Sequence, residues 1–275
     1  MKTNNKAFTL IELLVVIAII ALLLSVLLPA LKKVKDAAKA IVCASHLKQI
    51  GVAVSTYAES NDQWIPRAEI AETQIDWSVP EPYTGNWQLL LSPYLSGGEG
   101  FQGYWDVGVY NCPSYPDREQ TMDYIVNAWK HNPSKPLGDA TTEHHGFTKT
   151  TNIRNRQAVV YLSDYAYYQY SVNASGKLES TGDTDKNYIM IVSAEKIRTY
   201  SPHDLYLLMR WMDVYRSEHL PGTGNPNVAS GGAGNGRRIA YNRHKKNGAN
   251  NLFMDGHSEW LHADSHTPQT WAVRE

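Results

Sequence analysis

The chain has 275 residues with 26 basic and 27 acidic side chains, a formal charge of −1, and so presents no electrostatic case for nucleic acid. No hydrolase elbow, kinase signature or phosphate loop occurs. The glycines of Gly231 to Gly236 lack the dinucleotide pattern and no strand leads into them, so no motif supports enzyme activity.

The first thirty residues carry a short basic leader, one acidic residue inside an apolar run, and a proline at the end of that run. From Phe8 to Leu28 the only ionisable side chain is Glu12. The run is long enough to cross a bilayer as a helix, which takes roughly 17 to 25 apolar residues. A carboxylate within hydrocarbon costs several kcal/mol unless it is neutralised or paired, which makes Glu12 a functional candidate with a partner to be named. A cut between Ala7 and Phe8 would create an α-amine on Phe8 able to meet Glu12 of a neighbouring copy. The plainer reading is an uncleaved signal anchor that tolerates one glutamate near its end. Charge does not settle orientation, since Lys2 and Lys6 precede the run but Lys32, Lys33, Lys35 and Lys39 follow it.

Those residues, KAFTLIELLVVIAII, resemble the processing site of type IV prepilins and type II secretion pseudopilins. The resemblance implies cleavage after Ala7 by a prepilin peptidase, N-methylation of Phe8, and Glu12 as the fifth mature residue. It differs at Ala7, where the family usually has Gly. Pro29 falls where the family often has a proline, and a proline inside a continuing helix removes one backbone bond and bends it. The resemblance further implies a pilin-like α+β fold and a single pass through the bacterial inner membrane, with the soluble part in the periplasm. Its implied partners are membrane lipid, an inner-membrane assembly platform and other pilin or pseudopilin subunits in a filament.

Beyond Pro29 the pattern becomes amphipathic. Leu31, Val34, Ala38, Ile41 and Val42 recur at three- and four-residue steps, followed by Ile50, Val54 and Tyr57, with lysines mostly off that stripe. One helix over 8–58 is expected, spanning the membrane at about 8–30, with its apolar stripe covered by a globular domain. Gly51 weakens the helix slightly, and Ser60-Asn61-Asp62 with Pro66 marks its end. The organisation is thus a leader at 1–7, the helix, and a soluble domain at 59–275 large enough for one core.

Within that domain the expected strands are Ala158 to Leu162, Tyr188 to Val192 and Ile239 to Tyr241, and 203–220 has helical spacing. By composition 221–236 is a loop. Mainly antiparallel β structure packed on the long helix follows. The 8 Trp and 17 Tyr admit a second function, a membrane-anchored protein that binds carbohydrate or another extracytoplasmic ligand, because aromatic faces stack on sugars. Trp64, Trp77, Trp87, Trp105 and Trp129 border loop-like segments and are its candidates, against ordinary core packing.

Near the C-terminus Asp255-Gly256 separates strand-like runs, a hairpin at about 251–261 in which both turn positions favour positive φ. This region resembles a domain found with prepilin-type leaders, marked by His, nine residues, then Asp-Gly. Here ten residues separate His244 from Asp255, while Asp255-Gly256-His257 matches directly. Asn111-Cys112-Pro113-Ser114 looks like the same family's Cys-Pro-Ser segment.

Imidazole and carboxylate near His244, His257, His262, His266, Asp255 and Asp264 could hold a transition metal, yet no two of the histidines have helical metal spacing. Asp183, Asp185 and Asn187 resemble the opening of a calcium loop, without the glycine or distant glutamate of an EF-hand. A structural calcium is the one cofactor the sequence suggests, against a plain polar turn. Cys43 and Cys112 permit a disulfide in an oxidising compartment, and the sequence leaves open whether they are joined or free.

Overall fold

The computed structural model describes residues 10–66, 87–95, 107–114, 123–131, 133–134, 148–164, 171–172, 178–179, 213–214, 220, 239, 244 and 248–274. Its longest element is helix α1, Leu10–Ser60, which runs through Pro29. The apolar run has no glycine to interrupt it, and apart from the helix ends and the donor missing at Pro29 its backbone groups pair within the helix. The helix stops where side chains compete for its last carbonyls. Asn61 Nδ2 donates to the Tyr57 carbonyl at 2.8 Å, and the Gln63 amide donates to Ala58 at 2.8 Å. Asp62 and Gln63, with φ of 50° and 68°, turn the chain away.

Helix α2 is Trp87–Leu95 and α3 is the single turn Pro268–Trp271. The strands are β1 (Tyr124–Asn127), β2 (Val160–Asp164), β3 (Ser171–Val172), β4 (Leu178–Glu179), β5 (Asp213–Val214), β6 (Gly248–Phe253) and β7 (Ser258–His262). The main sheet has the order β5-β1-β2-β6-β7. Four of its strands, β1, β2, β6 and β7, are antiparallel, with Tyr124 opposite Asp164, Ser163 opposite Asn251 and Gly248 opposite His262. The fifth, β5, lies parallel to β1 at the edge, and β3 with β4 forms a separate two-stranded ladder. Long N-terminal helix plus antiparallel sheet is an α+β, pilin-like layout.

The helix docks across β6 and β7 through Cys43, Leu47, Ile50, Ala53 and Tyr57, spaced at three and four residues and all buried. Gly51 sits where a β-carbon would meet Leu252 Cδ1 at 2.9 Å and the Gly256 carbonyl oxygen at 3.2 Å. This glycine is the price in helix propensity for bringing helix and hairpin into contact. Asn250 Nδ2 reaches the Ala40 carbonyl at 3.3 Å, and Ser258 Oγ reaches Ala44 at 3.4 Å. Every residue of β1, β2 and β6 is buried. Across the sheet Asn127 Nδ2 donates to Val160 and Trp271 carbonyls, 2.6 Å each, tying α3 to the strands.

Three expectations need correction. The apolar stripe is covered only from Cys43 onward; Leu31, Val34, Ala38, Ile41 and Val42 are exposed, because the domain meets only the last third of the helix. Within the expected helix over 203–220, Asp213–Val214 is a strand, where β-branched Val214 is buried against the edge of β1. The Asp255-Gly256 turn has positive φ only at Gly256, at 89°; the Gly256 amide closes it onto the Phe253 carbonyl at 2.9 Å. With the Phe253 amide on the His257 carbonyl at 2.9 Å, the loop is the three residues Met254 to Gly256 rather than two. Among the other expected elements, Tyr188 to Val192 and 221–236 lie outside the described residues, and Ile239 is buried.

Candidate functional site

Two parts of the molecule carry candidate residues. The first is the membrane-length start of α1. Large apolar side chains from Leu10 to Leu31 stand exposed all around the helix, and no residue of its most apolar stretch is buried within the protein. A helix apolar on every face is stable only in lipid or against other apolar helices. Glu12 projects from this stretch and is exposed. At Pro29, whose ring removes one backbone donor, the helix continues without a break. Ser25 Oγ donates back to the Leu22 carbonyl at 2.7 Å, upstream of that point. Ala7 and Phe8 lie outside the described residues.

The second part is where the helix meets the domain. Cys43 on α1 and Cys112 before β1 form a disulfide, with Cα atoms 5.2 Å apart and a sequence separation of 69. The Cys112 amide donates to Asp123 Oδ2 at 2.6 Å, and one turn along the helix His46 Nδ1 lies 2.9 Å from the Asn111 carbonyl. Burial lowers the His46 pKa, partly opposed by that carbonyl, so the imidazole is neutral and donates. His244 Nε2 stands 3.4 Å from Cys112 Sγ and 3.2 Å from Asp164 Oδ2. Both side chains of the His244–Asp164 pair are almost fully buried. Asp164 also accepts the Asn250 amide at 2.8 Å, joining the end of β2 to the start of β6.

The C-terminal histidines go separate ways. His257 Nδ1 meets Asp255 Oδ1 at 2.5 Å across the hairpin turn, and the ring stacks on Phe253 with centroids 4.2 Å apart. Partial burial tends to raise the Asp255 carboxyl, but hydrogen bonds from the His257 side chain and backbone, with its charge, hold it below the usual range. His262 pairs with Asp264 at the surface, 3.3 Å away. His266 is buried, accepts the Trp271 indole proton on Nδ1 at 3.1 Å, and is pushed down to about 4 by burial, with Asp164 acting in the opposite direction. His244, His257, His262 and His266 therefore do not converge on one another. His244 does not meet Asp255 but Asp164, which the sequence reading did not single out; neither did it single out His46 or Asp123. An acidic residue closing the apolar strand VYLSD was the one sign of Asp164. Asp183, Asp185 and Asn187 lie outside the described residues.

Tryptophans do not form a ligand platform among the described residues. Trp87 and Trp129 are core residues, and Trp87 packs edge-on against Tyr110 at 5.3 Å. Half-buried Trp64 carries the Lys149 ammonium over its ring at 5.1 Å. Trp77 and Trp105 lie outside the described residues.

Residues 2–28 match the family model of the prokaryotic N-terminal methylation motif. The chain thus carries a prepilin-type methylation motif running directly into a helix of membrane-spanning length, and that motif supports a type IV pilin or pseudopilin-like subunit. Processing by a prepilin peptidase and association with other pilin subunits go with that motif. No curated protein and no solved structure matches the chain.

Proposed function

We propose that this chain is a structural subunit of a filament of the type II secretion pseudopilus or type IV pilus kind. Cleaved after Ala7 and methylated on Phe8, it waits in the bacterial inner membrane with its domain on the periplasmic side, and then packs by α1 against other subunits with the help of an assembly platform. The observation that carries this reading is the continuity of the methylation motif with a helix that exposes apolar side chains on every face. Such a helix moves from lipid to a helix-packed filament core without meeting water.

Glu12 supplies register in this scheme, its carboxylate meeting the Phe8 α-amine of a neighbour. The test has two readings. The mass of the N-terminal peptide from membranes should correspond to a chain starting at Phe8 with one added methyl group; an intact Met1 leader leaves a plain anchor. Glu12→Ala should insert in the membrane at wild-type level yet lose filament yield. Undiminished filaments from that variant remove the pairing role.

A further inference from the structure

The buried cluster around the disulfide has the donors of a metal site. We propose that in the reduced chain Cys43, Cys112 and His244 bind a zinc-class dication whose fourth position is left to water, and that this metal clasp and the disulfide are alternative fastenings between α1 and the domain. The proposal is independent of filament assembly.

Three of the donors are already gathered. In a tetrahedral zinc site, bond lengths of about 2.3 Å to sulfur and about 2.0–2.2 Å to nitrogen and oxygen place sulfur about 3.5 Å from nitrogen. Here Cys112 Sγ is 3.4 Å from His244 Nε2. The donor atoms of Cys43, Cys112 and His244 all lie within 4.8 Å of one another. The sulfur–sulfur edge is held short by the covalent bond, and breaking that bond frees the sulfurs to separate to the about 3.8 Å that a shared metal needs.

The surroundings fit as well. Two thiolates and a dication replace a neutral disulfide without changing the net charge of the cluster, which matters beside buried Asp164 and Asp123. His244 reaches the cluster from a left-handed backbone, φ 66°, that few residues of its kind adopt. Its Nδ1 is buried with no hydrogen-bond partner among the described residues while Asp164 faces Nε2 at 3.2 Å, so metal on Nε2 takes the place of the proton shared with that carboxylate. The Asp123 carboxylate on the Cys112 amide, and Asp164 beside His244 and itself held by the Asn250 amide, position two of the donors from behind.

The chemistry balances simply. A water-soluble phosphine breaks the disulfide, taking the oxygen of one water while its two protons go to the sulfurs. Metal binding then releases those two protons. An azodicarboxamide oxidant reverses it, accepting two electrons and two protons to become the hydrazine while the disulfide re-forms and the metal leaves.

Because both cysteines are buried, the experiment uses the full chain made in a reducing cytoplasm, extracted in detergent with the phosphine, and titrated with zinc or cobalt. The expected result is one metal per chain, a cobalt spectrum with thiolate charge-transfer and tetrahedral ligand-field bands, and release of the metal by the azodicarboxamide. His244→Ala should weaken binding by at least about tenfold with the helical circular dichroism retained, and Asp164→Asn should weaken it by less. Should either variant misfold, the wild type compared in its two redox states decides. The proposal is overturned by a reduced wild type that takes up no cobalt or stays unfolded with zinc present, by equal binding in the oxidised chain, or by unchanged binding in folded His244→Ala.

Discussion

The two ends of helix α1 are built from similar residues and meet opposite fates. Leu31 is 65% exposed and Leu47 is fully buried, sixteen residues further along the same element. Up to about Ala30 apolar residues occupy every face, so no single side can be satisfied by a domain and the helix needs an apolar environment all round; from Leu31 to Val42 it is amphipathic yet largely exposed. Downstream, Lys48, Gln49, Val52, Ser55 and Thr56 face outward while Cys43, Leu47, Ile50 and Tyr57 face the sheet. The lesson is that one continuous helix holds two separable functions, with the switch between them at about Val42 and Cys43.

The contrast can be broken or sharpened experimentally. The largest expected effect on stability is from cutting the covalent fastening: the double variant Cys43→Ser with Cys112→Ser should lose about 4 kcal/mol in the chain-entropy view of a loop this long. Denaturant unfolding of the detergent-solubilised chain measures this. Next, Leu47→Ala should cost about 2–5 kcal/mol through the cavity it leaves, while Leu31→Ala should shift the same unfolding curve by less than about 0.5 kcal/mol. Equal losses at the two positions would erase the proposed boundary.

A third test concerns pH, and reads the domain but not the membrane half. His266 has its folded pKa depressed to about 4 from 6.5. The unfolded chain then binds more protons between those values, so this histidine's contribution is fully present above about pH 6.5 and is lost as pH falls toward 4, by up to about 3 kcal/mol. Protonation also places a hydrogen on the nitrogen that accepts the Trp271 indole proton. Acid unfolding followed by tryptophan fluorescence should show this loss, and His266→Gln should flatten it. A small net effect is expected at Gly51→Ala, where gained helix propensity of about 1 kcal/mol is set against the 2.9 Å approach to Leu252 Cδ1 and the 3.2 Å approach to the Gly256 carbonyl. A net change within about 1 kcal/mol should accompany a shift of the hairpin turn, seen in its amide resonances.

Much of this was legible in the sequence where the signal is local. The apolar run, the proline, the turn residues after Ser60 and the Asp255-Gly256 turn all depend on residues within a few positions of one another. What the sequence did not disclose depends on distant ones. His244 meets Cys112 across 132 residues, and Asn250 meets Asp164 across 86. Gly51 reads as a mild helix weakener until Leu252 and Gly256 are seen against it. Asp213–Val214 reads as helix because its neighbours have helical spacing, yet its backbone is taken up by the edge of β1. In each case a tertiary partner overrides a local preference.

The exposed stretch from Leu31 to Val42 is also a spacer. At 1.5 Å per residue it is about 18 Å long. With the apolar run up to about Ala30 in the bilayer, the folded domain stands off the lipid headgroups by roughly two Debye lengths at physiological salt. The charges of the described domain residues are therefore largely screened from the leaflet, whereas Lys32, Lys33, Lys35 and Lys39 on the stem sit close enough to feel it. Lipid composition should act on this protein through its neck and leave the head indifferent.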